Sequence, residues 1–369
     1  MEWIIAIWQP AKPAPQRILV AGCGSGVEAF LLARFFPHSE IVAVDFSPRS
    51  IAIARKLQKT TPKARHIRFV VGDLTDQRFT KNVGRDFDFI SCHGVLSYVA
   101  TPERVLRNLS RSLKRDGALY LGVNGSQHFS ENWRRLLQAF GFDMAELRDS
   151  RYLRDLLKLC DVIVGKRADF PTASLPASYL AGDLFGPIIR NLPLSSWLRT
   201  ACAGGLHLWG SFHHWRALRP ALEENVCRLF IPRSRVELCE LVETLWPASF
   251  HRLLFAREPI LNPPWKKLDA LLDWRPSRTR LYTCRLPKRS RSWQALRKVT
   301  FKSAPVNTRL DWRMPEWELE MLRQSDGKQA LRKILQRIPA AVSPVRLQQQ
   351  LYMLYQLMAI NLLPPNTPD

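Results

Sequence analysis

Short apolar runs alternate with helically spaced apolar positions along the first third of the chain. The strand-like runs lie at 17–20, 41–44, 67–71, 87–92 and 118–123. Between them, apolar residues recur at the spacing of amphipathic helices, for example over 27–36 and 102–113. This alternation predicts an α/β fold, in which a largely parallel sheet is covered by helices.

Three glycines follow the first of these strands. Gly22, Gly24 and Gly26 occupy a turn that leads into a helix near Val27. Such a turn lets a ligand approach bare backbone, and the N-terminus of the helix favours an anionic group. A dinucleotide-binding turn would need its third glycine at position 27, which is a valine. The spacing therefore favours S-adenosylmethionine over NAD as the ligand.

Acidic residues end the second and third strands. Asp45 is about twenty residues beyond the glycines and is placed to bind both ribose hydroxyls. Asp73 can accept a hydrogen bond from an adenine amino group, with Phe46 and Leu74 flanking the ring. The full set expected to contact the cofactor is Gly22, Cys23, Gly24, Gly26, Asp45, Phe46, Gly72, Asp73, Leu74 and Cys92.

In this order and spacing, residues 17–125 resemble class I S-adenosylmethionine-dependent methyltransferases. The resemblance rests on the glycine turn, Asp45, Gly72-Asp73 and the Phe87-Asp88 strand. It implies a Rossmann-like sheet with S-adenosylmethionine as the cofactor.

A narrower resemblance extends to residues 93–99 and 120–124. These segments resemble bacterial protein-lysine methyltransferases that carry a C-terminal regulatory domain. The Ala21-Gly22-Cys23-Gly24 turn also resembles methyltransferase domains fused to tetratricopeptide repeats, although the sequence shows no such repeat. The Trp-rich loop of the lysine-specific enzymes is replaced here by residues 125–129.

The remaining sheet strands are expected far along the chain. We expect a sixth strand at about 205–212 and, by resemblance, a seventh at about 279–287. The chain then divides into a cofactor-binding core over 1–130 and a helical, substrate-selecting insertion over 131–293. A mostly helical C-terminal domain covers 294–369.

The C-terminal domain is predicted from three helical patterns. They cover 316–323, 327–336 and a stretch that begins at Ser343-Pro344. The pattern resembles the winged-helix-like regulatory tail of the same enzyme group. A plain helical bundle for homodimerisation or docking is the alternative.

Composition adds a strong positive charge. The 369-residue chain has a formal net charge of +23, and residues 274–310 contain eleven basic side chains and no acidic one. Such a segment could attract an anionic partner, or it could be a solvated surface. The seven cysteines stand singly, and no run of eighteen apolar residues occurs, so we expect a cytoplasmic protein without a membrane span.

Catalytic candidates follow the fourth and fifth strands. His93 is a candidate base or substrate contact, or it only orients its loop. Tyr98 and Asn124 should line the same cleft, or serve packing and turn formation. Methyl transfer to a cofactor-aligned acceptor needs no strong catalytic motif.

Two further motifs have explanations that need no chemistry. Asn262-Pro263-Pro264-Trp265 resembles the signature of methyltransferases that act on planar nitrogens, but it stands far from the fourth strand. A helix that begins at Asn262 and reaches Leu272 explains it without chemistry. His213-His214 lacks a third ligand at useful spacing, so no metal site is expected.

These observations predict a methyltransferase. The resemblance alone implies that its acceptor is a protein side chain, with lysine as the candidate. Methylation of a small molecule or a nucleic acid is the second enzymatic hypothesis. A regulatory module that binds S-adenosylmethionine without turnover is the third.

Overall fold

The computed structural model groups the chain into two compact units. The sheet unit comprises residues 15–213 and 239–259, and the C-terminal unit comprises residues 1–14, 214–238 and 260–369. The residues that the structure describes are 14–61, 64–142, 155, 158, 162, 184, 186–212, 234–259, 261–278, 283–303, 308–338, 342–356 and 359–365.

A seven-stranded sheet forms the centre of the sheet unit. Its strand order is β3-β2-β1-β4-β5-β7-β6, with β1 to β5 parallel and β7 antiparallel to both of its neighbours. The strands are β1 (Arg17–Ala21), β2 (Glu40–Asp45), β3 (Ile67–Val71), β4 (Phe87–His93), β5 (Leu113–Asn124), β6 (His207–Ser211) and β7 (Phe250–Ala256). This architecture confirms the predicted α/β, Rossmann-like fold.

Helices connect most of these strands. In the sheet unit they are α1 (Val27–Phe35), α2 (Pro48–Thr60), α3 (Phe79–Val83), α4 (Pro102–Ser112), α5 (Phe129–Ala139) and α6 (Leu194–Ala203). Helix α2 begins as its sequence predicts, because the Ser47 side chain accepts a hydrogen bond from the Ser50 amide at 3.2 Å. A short 3₁₀ turn spans Leu96–Tyr98.

The central strands are buried on both faces. Ile18, Leu19 and Val20 of β1 are fully buried, as are residues 41–44 of β2. Strands covered on both faces read as continuous apolar runs, which is why the sequence predicts them well. The carboxyl ends of β1, β2 and β4 therefore lie on a rigid frame.

The last strands differ from the sequence prediction. Strand β6 falls inside the expected stretch 205–212, but the place beside β5 belongs to Phe250–Ala256 and not to 279–287. Residues 279–282 lie outside the described part of the chain, and Thr283–Cys284 pairs with a strand of the C-terminal unit. The prediction that residues 279–287 form the seventh strand of this sheet is wrong. Alternating apolar residues indicate a strand, but they do not determine which strand it pairs with.

The C-terminal unit combines small sheets with helices. Its three-stranded sheet has the order β11-β10-β9, and its two-stranded sheet pairs β12 with β8. The strands are β8 (Arg275–Arg278), β9 (Thr283–Cys284), β10 (Leu296–Ser303), β11 (Thr308–Pro315) and β12 (Ile360–Leu363). The helices are α8 (Leu268–Leu271), α9 (Glu316–Arg323), α10 (Leu331–Leu335) and α11 (Pro344–Gln356), while the unit boundary falls within α7 (Arg235–Leu245).

The three C-terminal helices occur close to their expected positions, and the segment also contains the β10–β11 hairpin. Residues 260–293 group with this unit, although the sequence assigned them to the insertion. The functional division at 1–130, 131–293 and 294–369 and the winged-helix-like character stay predictions. Within the described residues, no helix has the length and apolar character needed to cross a bilayer.

Candidate cofactor and acceptor site

The glycine turn joins β1 to α1 and is tied to β2. The backbone amides of Gly22 and Cys23 both donate to the carbonyl oxygen of Val44, at 2.8 and 2.9 Å. Gly22, Gly24 and Gly26 all have positive φ angles, of 76°, 54° and 90°. The turn therefore keeps a fixed position at the carboxyl ends of the two central strands.

Two of these glycines meet different surroundings. A Cβ atom at Gly22 would lie 2.2 Å from Cγ2 of Val95, so the turn packs directly on the loop that follows β4. A Cβ atom at Gly24 would have no described heavy atom within 4 Å, and the same holds for Gly94. The backbone at Gly24 thus borders open space, as a ligand that rests against this turn requires.

Asp45 links the glycine turn to the start of α2. Its Oδ2 accepts a hydrogen bond from the Gly24 amide at 2.8 Å, and its Oδ1 accepts one from the Ser47 amide at 2.9 Å. The Asp45 carbonyl oxygen accepts from the Gly72 amide at 2.9 Å. Because an ionised carboxylate has about four acceptor positions, Asp45 retains capacity for ligand hydroxyls.

The groups expected around an adenine ring differ in exposure. The side chain of Phe46 is 78% exposed, whereas Leu74 is buried and its carbonyl oxygen accepts from Asn108 Nδ2 at 2.9 Å. Asp73 is exposed, and its Oδ1 accepts from the amide and the hydroxyl of Thr75 at 2.7 and 2.8 Å. Phe46 and Asp73 are therefore open to a ligand, while Leu74 supports the loop from inside.

Both cysteines of the expected cofactor set are buried. Burial, followed by the nearby charge of Asp45, raises the pKa of the Cys23 thiol to about 12. Cys92 is fully buried in β4, and burial likewise raises its pKa. Glu28 of α1 accepts a hydrogen bond from the Ser91 hydroxyl, and burial raises the pKa of its carboxyl group. With raised pKa values, neither cysteine thiol is prepared to act as a thiolate nucleophile.

His93 lies at the end of β4 and is held by aromatic neighbours. Its Nδ1 is 2.7 Å from the Tyr120 hydroxyl, and its ring centroid lies 5.6 Å from that of Tyr120 and 5.1 Å from that of Phe250. A Cβ atom at Gly122 would approach Nδ1 to 2.4 Å, so this packing requires glycine there. His93 stays partly exposed to solvent, but desolvation of the imidazole, followed by the positive charge of Arg252, lowers its pKa to about 4. The imidazole is therefore neutral at pH 7.

The structure brings Tyr98 and Asn124 together. Asn124 Nδ2 donates to the Tyr98 hydroxyl at 3.3 Å and to Asn191 Oδ1 at 3.1 Å. The Asn124 backbone is fixed as well, since its amide donates to Ser97 Oγ at 2.8 Å and its carbonyl oxygen accepts from Trp197 Nε1 at 2.9 Å. Asn124 is fully buried, so these hydrogen bonds fix the end of β5.

The hydrogen-bond network around Asn124 extends to residues that no sequence pattern indicates. Asn191 Nδ2 donates to Ser130 Oγ at 3.2 Å and to Glu131 Oε2 at 3.1 Å. Ser130 also lies 2.8 Å from Nδ1 of His128, whose pKa is lowered to about 4 by burial. A lone asparagine in a proline-containing loop carries no pattern that could have revealed this network.

The asparagine-proline motif at 262–265 belongs to the C-terminal unit. Trp265 is buried in the C-terminal unit, and its ring centroid lies 5.0 Å from that of Tyr352. The helix expected to begin at Asn262 is short and starts only at Leu268, so that prediction was wrong in its start. His213-His214 lies outside the described residues. Among the residues described, no three His, Cys, Asp or Glu side chains gather as a metal site.

Comparison with known proteins agrees with this geometry. Residues 19–119 match the methyltransferase domain family. An uncharacterized protein of Synechococcus is 37% identical over 114 residues, which cover 30% of this chain and 27% of that protein. A malonyl-[acyl-carrier protein] O-methyltransferase of Bacillus cereus is 32% identical over 121 residues, covering 33% and 42% of the two chains. The chain thus spans less than half the length of the curated relatives that it matches.

A solved structure resembles nearly the whole chain. PKMT2 from Rickettsia typhi superposes with a TM-score of 0.56 at 16% identity, covering 98% of this chain and 74% of that one. Its complex with AdoHcy gives a TM-score of 0.55 at 15% identity, covering 99% and 75% of the two chains. At this identity the likeness shows a shared fold. Together with the family match, it identifies residues 19–119 as a methyltransferase domain.

Proposed function

We propose that this protein transfers the methyl group of S-adenosylmethionine to a side chain of another protein. The observation that carries the methyl-transfer part is the glycine turn that donates its Gly24 amide to Asp45 at the carboxyl end of β2. In open α/β sheets, ligands bind outside the carboxyl ends of the strands. The family match over residues 19–119 supports the same chemistry.

The residues around the turn fit the cofactor. Asp45 would hold the ribose hydroxyls, Asp73 the adenine amino group, and Phe46 would cover one face of the ring. The open space beside Gly24 leaves room for the methionyl part. When bound, S-adenosylmethionine supplies an electrophilic methyl group on a sulfonium. The contribution of the protein is then to align the acceptor and exclude water.

The comparisons give two candidate acceptors. PKMT2 is a protein lysine methyltransferase, and its fold resembles this chain along nearly its full length. The Bacillus cereus relative is named for O-methylation of malonyl-[acyl-carrier protein]. Both named activities act on a group that a protein carries, which supports a protein-borne acceptor here. Lysine is the first candidate, and a carboxylate is the second.

The two candidate acceptors differ in whether they need a base such as His93. A lysine must lose its proton before it attacks, whereas a carboxylate is already deprotonated at pH 7. With a pKa of about 4, His93 is a weak base, so it serves better as a neutral hydrogen-bond partner of the acceptor. Tyr98 and Asn124 would fix the opposite wall of the cleft. A lysine acceptor would therefore depend on its own desolvation for deprotonation.

The C-terminal unit is proposed to regulate the catalytic domain or to form a homodimer. Its helices α9 to α11 and the β10–β11 hairpin offer several surfaces for such contacts. Sedimentation of the full chain distinguishes a monomer from a dimer.

The cofactor assignment is tested by calorimetric titration of the full chain with S-adenosylmethionine. Asp45→Ala should weaken binding about 10- to 100-fold, since hydrogen bonds to a charged group contribute about 1.5–3 kcal/mol. Glu40→Ala is the matched control, because Glu40 is an exposed acid at the other end of β2. Equal affinities of wild type and Asp45→Ala would overturn the placement of the cofactor.

The acceptor class is tested with cofactor that carries a labelled methyl group. The enzyme is incubated with a protein extract, and the labelled protein is then treated with alkali. A methylated lysine keeps the label, whereas a methyl ester releases it as methanol. Label only in small molecules or nucleic acid would overturn the protein acceptor. Cofactor binding without any transfer would indicate a regulatory module.

A further inference from the structure

The hairpin of the C-terminal unit carries an uneven charge. Strand β10 pairs with β11 in antiparallel register from Leu296↔Pro315 to Ser303↔Thr308. The chain from Trp274 to Leu310 has eleven basic residues and no acidic one. The first acidic residue after Trp274 is Asp311, which lies in β11. Strand β10 lies within this basic segment, as do β8 and β9, and β11 begins in it.

The two faces of the hairpin differ in character. On one face, Val299 and Phe301 are buried within the unit. On the other face, Lys298 and Lys302 of β10 and Arg313 of β11 are exposed. Because side chains alternate along a strand, these cationic groups share a single side, here called the outer face.

Charges of like sign lie opposite one another on the outer face. Lys298 is the direct register partner of Arg313. Like charges in directly opposite positions destabilise a strand pair. The carboxylate of Asp311 offsets part of this repulsion, since its Oδ2 is 3.0 Å from Lys298 Nζ. The outer face still keeps an excess of positive charge, which a bound polyanion would neutralise.

The side chains of the outer face indicate which class of polyanion it can bind. Protein interfaces usually have a desolvated apolar or aromatic centre, and single-stranded nucleic acids stack on aromatic rings. The aromatic Phe301 belongs to the buried face, and its ring lies 6.3 Å from that of Trp312 between centroids. One exposed apolar residue, Leu296, stands at the beginning of β10. Cations and small polar groups suffice to bind a phosphate backbone.

We propose that the outer face of the β10–β11 hairpin binds the phosphate backbone of a double-stranded nucleic acid without recognising its sequence. Lys298 and Lys302 are four residues apart, about 14 Å at 3.4 Å per residue. A duplex presents a phosphate charge about every 1.7 Å of its axis, so both lysines and Arg313 find phosphates at once. This binding is independent of the methyl acceptor.

The test is binding of the full chain to a fluorescein-labelled DNA duplex of about two helical turns, measured by anisotropy at about 50–200 mM salt. The variant combines Lys298→Gln, Lys302→Gln and Arg313→Gln. The matched control combines Arg104→Gln, Arg107→Gln and Arg111→Gln, which remove the same charge from exposed positions of α4. Circular dichroism verifies that both variants are folded.

We expect the hairpin variant to reduce the slope of log affinity against log salt by about 3, since each phosphate contact contributes about 0.9. The control should keep the slope of the wild type, and a second duplex of unrelated sequence should bind equally well. An equal loss in both variants would mean a general charge effect and overturn the proposal. So would equal or stronger hairpin-dependent binding to poly-glutamate or to vesicles with anionic lipid.

Discussion

The Nδ1 atom of His93 lies 2.7 Å from the hydroxyl oxygen of Tyr120, which joins the end of β4 to the middle of β5. The contact fixes the orientation of the imidazole and directs its other nitrogen away from Tyr120. Which nitrogen carries the proton follows from whether the tyrosine hydroxyl donates or accepts. In either case the ring is neutral at pH 7, because desolvation and the charge of Arg252 lower its pKa to about 4.

The low pKa of His93 links stability to pH. The unfolded chain binds a proton at His93 below about pH 6.5, whereas the folded protein does so only near pH 4. Protons therefore favour the unfolded state, and stability is lost as the pH falls from about 6.5 toward 4. Replacing His93 with Gln should make the loss in unfolding free energy between pH 7.5 and pH 5 smaller than in the wild type, as urea titrations would measure.

Other titrating groups, including His128, cancel in this comparison because both proteins contain them. The pKa itself can be followed by NMR, with the signal of His93 identified as the one missing from the variant. A midpoint near 6.5, together with identical pH dependence in the two proteins, would contradict the packing described for this ring.

The contact between Gly22 and Val95 predicts a large effect of a small substitution. In Gly22→Ala, the new methyl group meets Val95 Cγ2 at 2.2 Å and the residue keeps a φ of +76°. Gly141→Ala is a matched control, since its φ is +78° and no heavy atom of the described residues lies within 4 Å of the added atom. The control should lose about 1–2 kcal/mol of unfolding free energy from backbone strain alone, and Gly22→Ala should lose more.

Shortening the neighbour tests the cause of that loss. The double variant Gly22→Ala with Val95→Ala should recover part of the stability lost by Gly22→Ala, as measured by urea unfolding, because it removes the steric overlap and leaves the strain. If Gly22→Ala behaves like Gly141→Ala, the close approach of the two loops is absent in solution.

A buried ion cluster is expected to stabilise the C-terminal unit. Arg323 Nη1 lies 2.7 Å from Glu316 Oε1 and 2.9 Å from Glu320 Oε2, and both glutamates are buried. Replacing Arg323 with Gln leaves buried carboxylates without this cation, so we expect a loss of about 3–5 kcal/mol in unfolding free energy.

The control for this cluster is an exposed ion pair of the same unit. Arg332 Nε lies 3.1 Å from Asp273 Oδ1, with side chains 45% and 52% exposed. Arg332→Gln should cost about 1 kcal/mol or less, because water screens the pair. Thermal unfolding of the two variants is the measurement, and equal midpoints would refute the role assigned to Arg323.

The sequence is most informative where local chemistry determines structure. Residues 18–20 are apolar without interruption because β1 is covered on both faces, and Ser47-Pro48 begins α2 because the serine caps it. The prediction that Asp45 ends the second strand follows from the same local pattern.

Non-local pairing explains what could not be predicted. The alternating residues 280–286 predict a strand, but the strand that pairs with β5 is Phe250–Ala256, which the sequence analysis did not predict. Asn191 reaches Asn124 from a loop 67 positions along the chain, and no periodicity marks it. The sequence does not reveal the methyl acceptor for the same reason, since the residues that would select it come from separate segments.

The position of β7 between β5 and β6 has a consequence for biosynthesis. Strand β5 is complete at Asn124, but its partner is not translated until residues 250–256 leave the ribosome. Throughout that interval the edge of β5 that will pair with β7 lacks a partner, and from residue 211 onward β6 lacks one as well. Unpaired strand edges are prone to pair with other chains. Translation speed and chaperone capture over residues 125–249 therefore bear on the yield of the folded protein, as does the stability of the finished sheet.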